Sequence, residues 1–291
     1  MTVVLALYSV SVEYIRSQDK VKLYITAELF STVVLMLSNI VCLVVLKVGA
    51  KGYILSVALS YVIPFSFLVI KEKLPRTFLE GKPDAVLRKE MILYAIPLIP
   101  NKISWWIITS LDKYMISAMI SLAENGIYSA AQKIPGLLNV FVELFMKAWR
   151  MSAIRQSEQQ DETEMYNAVF RFVCFLTSVG FSLILLLFNV ITSIFLGPEF
   201  HTAQQYIPIL LLSTVFSTYS SFLGVIYASR RKSMSALQTT IICAILNVLS
   251  NLVFIKTLGG IGAAVGTLIS YFIVFLLRFR DTRKYIPFSF D

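Results

Sequence analysis

Apolar residues run along this chain in stretches too long for the core of a soluble domain, separated by short clusters rich in Lys and Arg. A bilayer core about 30 Å thick takes roughly 20 apolar residues per helix. On that measure eight spans are expected, at residues 24–46, 52–70, 91–119, 126–149, 172–196, 206–228, 235–255 and 261–277. Each must be helical, because hydrocarbon offers backbone N–H and C=O groups no partner outside their own segment. Residues 2–14 are also apolar but too short to cross, and they carry neither the basic start nor the small-residue cleavage site of a secretory signal. They read as half a helix. The fold class expected is an all-α integral membrane protein with about eight transmembrane helices and an N-terminal half-helix.

Composition agrees: 57% of residues are hydrophobic, 15% are charged and the mean hydropathy is +0.75, outside the range of soluble domains. The net charge of +9 would suit nucleic acid if the basic residues shared one solvated face, but they fall between spans instead. Segments 16–22, 71–89, 147–171, 230–232 and 278–284 hold 20 of the 26 Lys and Arg. The intervening loops hold three, Lys47, Lys51 and Lys256, and Lys102, Lys113 and Lys133 lie within spans. Cytoplasmic loops carry the excess of basic residues, so both ends of the chain are expected on the cytoplasmic side, the leading half-helix apart. Cys42, Cys174 and Cys243 have no metal-ligand or CxxC spacing and read as small packed residues.

The chain also repeats itself. Leu37-Ser38-Asn39-Ile40-Val41 returns as Leu249-Ser250-Asn251-Leu252-Val253, 212 residues later. Gly52 matches Gly262, and Ser60-Tyr61 matches Ser270-Tyr271, both 210 residues apart, a shift that needs only a two-residue loop difference. Duplicated helical bundles of this kind are common in transporters. The second copy would have six helices and the first only its last two and a half. An even number of spans gives both copies one orientation, as parallel repeats about an axis along the membrane normal. Projecting the second copy back places its counterpart's start about 120 residues before Met1, so the chain reads as truncated.

The run Tyr94-Ala95-Ile96-Pro97-Leu98-Ile99-Pro100-Asn101, with Ser104-Trp105-Trp106, Leu111-Asp112-Lys113-Tyr114 and 126–135 (Gly126 through Tyr128, Gln132, Lys133 and Pro135), resembles the seventh and eighth helices of bacterial polysaccharide-biosynthesis flippases. These carry O-antigen, capsule or teichuronic-acid units and belong to the superfamily that includes the MATE exporters. The resemblance implies MATE-like lobes related by a pseudo-two-fold along the membrane normal. It assigns residues 1–72 to the remnant of an N-terminal lobe (the end of helix four, then helices five and six), 73–90 to a cytoplasmic linker, 91–284 to a complete six-helix C-terminal lobe and 285–291 to a tail. It implies a bacterial cytoplasmic-membrane protein that flips undecaprenyl-pyrophosphate-linked oligosaccharide by ion-coupled alternating access. Polysaccharide polymerase and glycosyltransferases are the protein partners it suggests, with no nucleic acid and no cofactor. The family has about fourteen helices, so helices one to three and the last two have no counterpart here.

Charges inside spans cost about 2.5–3.5 kcal/mol on insertion scales, so they face a cavity or a partner. Asn101, Lys102, Lys113, Tyr128 and Lys133 are candidates for a substrate cavity between lobes, the lysines attracting pyrophosphate, and Asp112 and Glu143 are candidates for cation or proton coupling. The plainer reading pairs Asp112 with a lysine to offset burial and lets Lys133 snorkel to the interface. Pro97, Pro100 and Pro135-Gly136 break their helices, as bending points or static kinks. Of Trp105 and Trp106, at least one is expected to pack against lipid. Gly259-Gly260-Ile261-Gly262 lacks the Lys-Ser/Thr of a phosphate loop and reads as a tight turn, with Gly262 and Gly266 permitting close helix approach. Residues 157–164 read as a solvated loop, and His201 beside Glu199 as a surface residue without a metal or catalytic constellation.

Two other functions stay open. A membrane enzyme of glycan assembly would need positioned acids or nucleophiles on a sizeable loop, and neither is present in the sequence, so no enzyme is expected. A non-transporting truncated membrane protein and a MATE-like small-molecule exporter are the remaining alternatives. No nucleotide-binding motif points to direct ATP use.

Overall fold

The computed structural model describes residues 2–72, 84–155 and 162–287. Among them the chain is helical, with no strand, and it divides into two compact units, residues 1–84 and 85–291. Seven helical segments are long and apolar enough to cross a membrane. Their outward side chains are apolar, as at Val45, Ile70 and Leu186, 68–81% exposed, the surface a lipid-facing bundle presents. The chain is a multi-pass membrane protein.

The first unit holds α1 (Thr2–Ser17), α2 (Val21–Asn39), continued by a π-helical turn over Ile40–Val45, and α3 (Ala50–Glu72). Tyr8, Val12 and Ile15 of α1 close on Leu23 and Ala27 of α2 and Leu68 of α3. The Tyr8 hydroxyl donates to the Ala27 carbonyl (3.2 Å), and Ser31 Oγ donates to the Ser60 carbonyl (2.7 Å).

The second unit runs α4 (Ala85–Ala95), α5 (Leu98–Met119), α6 (Leu122–Ala131), α7 (Lys133–Arg155), α8 (Glu162–Leu186) and α9 (Phe188–Phe195). A 3-10 turn over Pro198–Gln205 leads into α10 (Ile207–Ser229), α11 (Ser233–Leu258) and α12 (Gly260–Thr282). α10 is the most enclosed, with 61% of its apolar window buried against 6% for α2. Its hydroxyls are accordingly satisfied at home: Ser213, Thr214 and Thr218 donate to carbonyls three or four residues back.

Three expected spans are broken. Residues 91–119 divide at Ile96-Pro97 between α4 and α5, where prolines 97 and 100 withhold backbone donors. Residues 126–149 divide at Gln132 between α6 and α7, because Pro135 has no N–H for the carbonyl of Ala131. That pair is missing from the seven crossing segments: α7 carries Glu143, Lys147 and Arg150, and α6 is only ten residues long. Residues 172–196 divide at Leu187. Trp106 is 56% exposed, as expected of a lipid-facing ring, whereas Trp105 stacks on Tyr271 with centroids 6.2 Å apart. The side chains of Glu199 and His201, and most of segment 157–164, lie outside the described residues.

The repeat recurs in three dimensions within each unit. α2 and α11 begin 212 residues apart, α3 and α12 begin and end 210 apart, and α1 and α10 both end on the serine that precedes a matched turn. Left-handed backbone falls at Asp19 (φ 57) and Arg231 (φ 54), and at Lys47 (φ 52) and Gly259 (φ 64), again 212 apart. Ser31 bonds the Ser60 carbonyl in one unit and Cys243 contacts the Ser270 carbonyl (3.8 Å) in the other. At Gly262 a Cβ would lie 2.0 Å from the Phe254 carbonyl oxygen, and at Gly52 3.2 Å from that of Cys42, so both glycines allow neighbouring backbones to approach.

Candidate functional site

Asp112 sits on the face of α5 that carries Ser104, Ile108 and Ile116, the buried stripe of that helix, and it is 2% exposed. A carboxylate so placed must find donors or surrender its charge. It finds three. Tyr128 from α6 donates to Oδ2 (3.1 Å), Thr267 Oγ1 from α12 donates to the same oxygen (2.6 Å), and Asn251 Nδ2 from α11 donates to Oδ1 (2.5 Å). Asn247, one turn before Asn251, completes the ring: its Nδ2 donates to Thr267 Oγ1 (3.2 Å), and its Oδ1 accepts from Asn251 Nδ2 (3.3 Å). Tyr128, Asn247 and Asn251 are 0% exposed.

Counting protons shows what this arrangement favours. Both hydrogens of Asn251 Nδ2 and the Thr267 hydroxyl hydrogen are committed, while Asn251 Oδ1 is buried with no donor among the described residues. Gly266 makes room for it, since a Cβ there would lie 2.5 Å from that oxygen. The cluster therefore holds one amide oxygen without a donor beside one carboxylate, in the middle of a helical bundle. Such a set suits a proton or a small monovalent cation. It does not suit a metal that needs several anionic ligands, and no group of three His, Cys, Asp or Glu gathers among the described residues.

Of the residues selected from the sequence, the structure brings Asp112 and Tyr128 together and leaves the others outside this cluster. Lys102, Lys133 and Glu143 are exposed, and Lys113 and Asn101 are half-buried. Asn101 Oδ1 is itself buried without a partner among the described residues. The partners of Asp112 are neutral, so among the described residues no lysine bonds to it to offset its burial. Asn247 and Thr267 carried no sequence signal. Asn251 did, as part of the repeated Leu-Ser-Asn run, although the run says nothing of what its amide holds.

A second buried charge lies on α12, the helix that carries Thr267. Arg278 is 3% exposed and donates from Nε to Thr239 Oγ1 (3.0 Å), from Nη1 to the Ser220 carbonyl (2.9 Å) and from Nη2 to Thr240 Oγ1 (2.8 Å). Its guanidinium lies 5.8 Å from the ring centroid of Trp105, in cation–π range. One cation thus ties α10, α11, α12 and α5.

The profile of the family described as polysaccharide biosynthesis protein matches residues 13–149. A probable low-salt glycan biosynthesis flippase of Haloferax volcanii is 21% identical over 215 residues, 72% of this chain and 45% of that protein. The chain thus spans under half the length of the curated relative it matches. Among solved structures, a MATE mutant superposes with a TM-score of 0.84 at 14% identity, over 97% of this chain and 66% of that one. A MOP superfamily transporter from Pyrococcus furiosus, whose binding pocket is described as having reversed polarity, gives 0.82 at 13% identity over 97% and 66%. The fold is that of the MATE structures, and the stretch similar to the polysaccharide biosynthesis protein family, residues 13–149, includes α5 and α6 with Asp112 and Tyr128.

Proposed function

We propose that this chain is part of a flippase that moves polyprenyl-pyrophosphate-linked oligosaccharide across a bacterial cytoplasmic membrane, as a transporter and not an enzyme, with Asp112 as the coupling carboxylate. The observation that carries the coupling is the Asp112 ring: a buried carboxylate with neutral donors and a spare amide oxygen takes and releases a proton or monovalent cation without any permanent counter-charge. The match of residues 13–149 to the polysaccharide biosynthesis protein family and the similarity to a glycan flippase support the substrate class. In this reading residues 91–284 act as the C-terminal lobe, residues 1–72 belong to the N-terminal lobe with 73–90 as the linker, and 285–291 form a tail. Lys102, Lys113 and Lys133 attract the pyrophosphate, and Asn101 hydrogen-bonds it or its sugar.

The test is translocation of a fluorescent polyprenyl-pyrophosphate-linked oligosaccharide in vesicles that contain the full chain. Asp112→Asn keeps the shape and most of the hydrogen bonds, and is expected to lower the rate by at least tenfold and to abolish its dependence on an imposed pH or sodium gradient. A rate unchanged by Asp112→Asn would remove Asp112 from coupling. Lys102→Gln with Lys133→Gln is expected to weaken substrate binding at equal expression.

A further inference from the structure

At the non-cytoplasmic end of the second unit, as the basic residues orient it, three turns meet over the Asp112 ring: Ile120-Ser121 before α6, Tyr206 before α10 and Gly259-Gly260 before α12. The sequence Ser121-Leu122-Ala123-Glu124 has the pattern of a capping box, in which the acidic side chain folds back to the backbone N–H of the capping residue. Half of that box forms, with Ser121 Oγ accepting from Glu124 N (3.1 Å). The other half does not, because Ser121 N is donated to the Ile116 carbonyl (3.2 Å). The Glu124 carboxylate reaches instead to the hydroxyl of Tyr206, a close hydrogen bond across 82 residues of sequence.

The pair is fitted against Gly260, where a Cβ would lie 2.6 Å from Glu124 Oε1 and 2.8 Å from the Tyr206 oxygen. Below it, the Tyr206 ring meets the Tyr128 ring edge-on with centroids 5.8 Å apart, and Tyr128 is the residue that donates to Asp112. Glu124 stands one helical turn above Tyr128 on α6, a rise of about 6 Å. Tyr206 is 2% exposed and Glu124 is half-buried, so the carboxylate faces the outer surface and the ring covers what lies beneath. Burial, then the hydrogen bond and charge of Glu124, push the Tyr206 hydroxyl up to about 12, and it remains a donor at physiological pH.

We infer that Glu124 and Tyr206 form the outer mouth of the Asp112 site: Glu124 draws a monovalent cation or proton from the non-cytoplasmic side, and its bond to Tyr206 holds the ring closed over Tyr128. This rests on the coupling role of Asp112. Glu124 and Tyr206 are positioning residues that set the rate of exchange and leave the affinity of the ring below nearly unchanged.

The experiment uses the full chain in vesicles, with modification of Asp112 by dicyclohexylcarbodiimide followed by peptide mass spectrometry. The reagent reports the protonated carboxyl. Protection by sodium at fixed pH identifies sodium as the cation, and a response to pH alone identifies the proton. After an external jump in pH or sodium, Glu124→Gln, which still accepts from Tyr206 but lacks the charge, is expected to slow the response at Asp112 about tenfold. Tyr206→Phe, which keeps the ring but loses the bond, is expected to speed it about tenfold. The final extent of modification should move less than threefold in both. Wild-type rates in both variants, or equal shifts in extent and rate, overturn the mouth while leaving Asp112 coupling intact. A wild-type Asp112 that responds to neither cation overturns the coupling and the mouth together.

Discussion

At the scale of single residues, the Asp112 ring is a case where chemistry was half visible. A carboxylate in an apolar run stands out in any sequence, because its burial is costly and it must be answered. Its answers do not stand out: Asn247, Asn251 and Thr267 are common in membrane helices, and only the packing of α5 against α11 and α12 turns them toward one point. The reverse holds for Lys102, Lys133 and Glu143, which are equally conspicuous in sequence but exposed on the second unit. Long side chains reach water or headgroups from near a helix end, and spacing alone does not reveal it. Thr267→Val is nearly isosteric, yet it removes one donor to Asp112 and the acceptor of Asn247 Nδ2. It is expected to cost about 1–3 kcal/mol, seen as a lower midpoint of thermal unfolding in detergent, and to weaken cation protection of Asp112. Full stability in this variant would mean that the ring bonds contribute little.

Helices pack here through small contacts with little tolerance. Gly262→Ala places a methyl group against the Phe254 carbonyl and is expected to cost about 1–3 kcal/mol through forced separation of α11 and α12, measured by the same unfolding assay. The Gly262-x-x-x-Gly266 spacing announced this close approach, since only small residues permit it. Arg278 was not announced as a core residue, because a basic residue near the end of an apolar run reads as part of the cytoplasmic cluster. The structure instead folds its guanidinium inward to acceptors on α10 and α11. Lys cannot span those three positions with one ammonium, so Arg278→Lys is expected to lower stability by about 1.5–3 kcal/mol. Retention of the wild-type midpoint would show that a point charge suffices.

For the whole molecule, apolar length and the alternation of basic loops placed most helices to within a few residues, with α8 starting ten residues before the expected 172. Two of the three breaks came where proline removes a donor, and the third, at Leu187, has no proline beside it. The repeat was legible because two copies of one three-helix arrangement must reuse the same turns: Asp19 and Arg231 both adopt left-handed backbone, as do Lys47 and Gly259. Cysteines placed at Asp19 and Arg231 should react with an impermeant thiol reagent from the cytoplasmic side, and those at Lys47 and Gly259 from the opposite side; mixed sidedness within either pair would refute the assigned orientation. Among the described residues, the fully buried charges of the second unit are Asp112 and Arg278. The residues that bear on them along α12, Thr267 and Arg278 itself, stand eleven positions apart, about 16 Å. With Asp112 ionised the two charges cancel. Once a proton or monovalent cation sits on Asp112, one positive charge is left unbalanced within the low-dielectric interior. Under the proposed coupling, an electrical potential across the bilayer then acts on one more elementary charge in the filled bundle than in the empty one, at up to about 2.3 kcal/mol for each 100 mV traversed. In that proposed cycle, filling the site makes the bundle more positive by one charge, and a potential negative on the cytoplasmic side draws the filled form inward more strongly than the empty one.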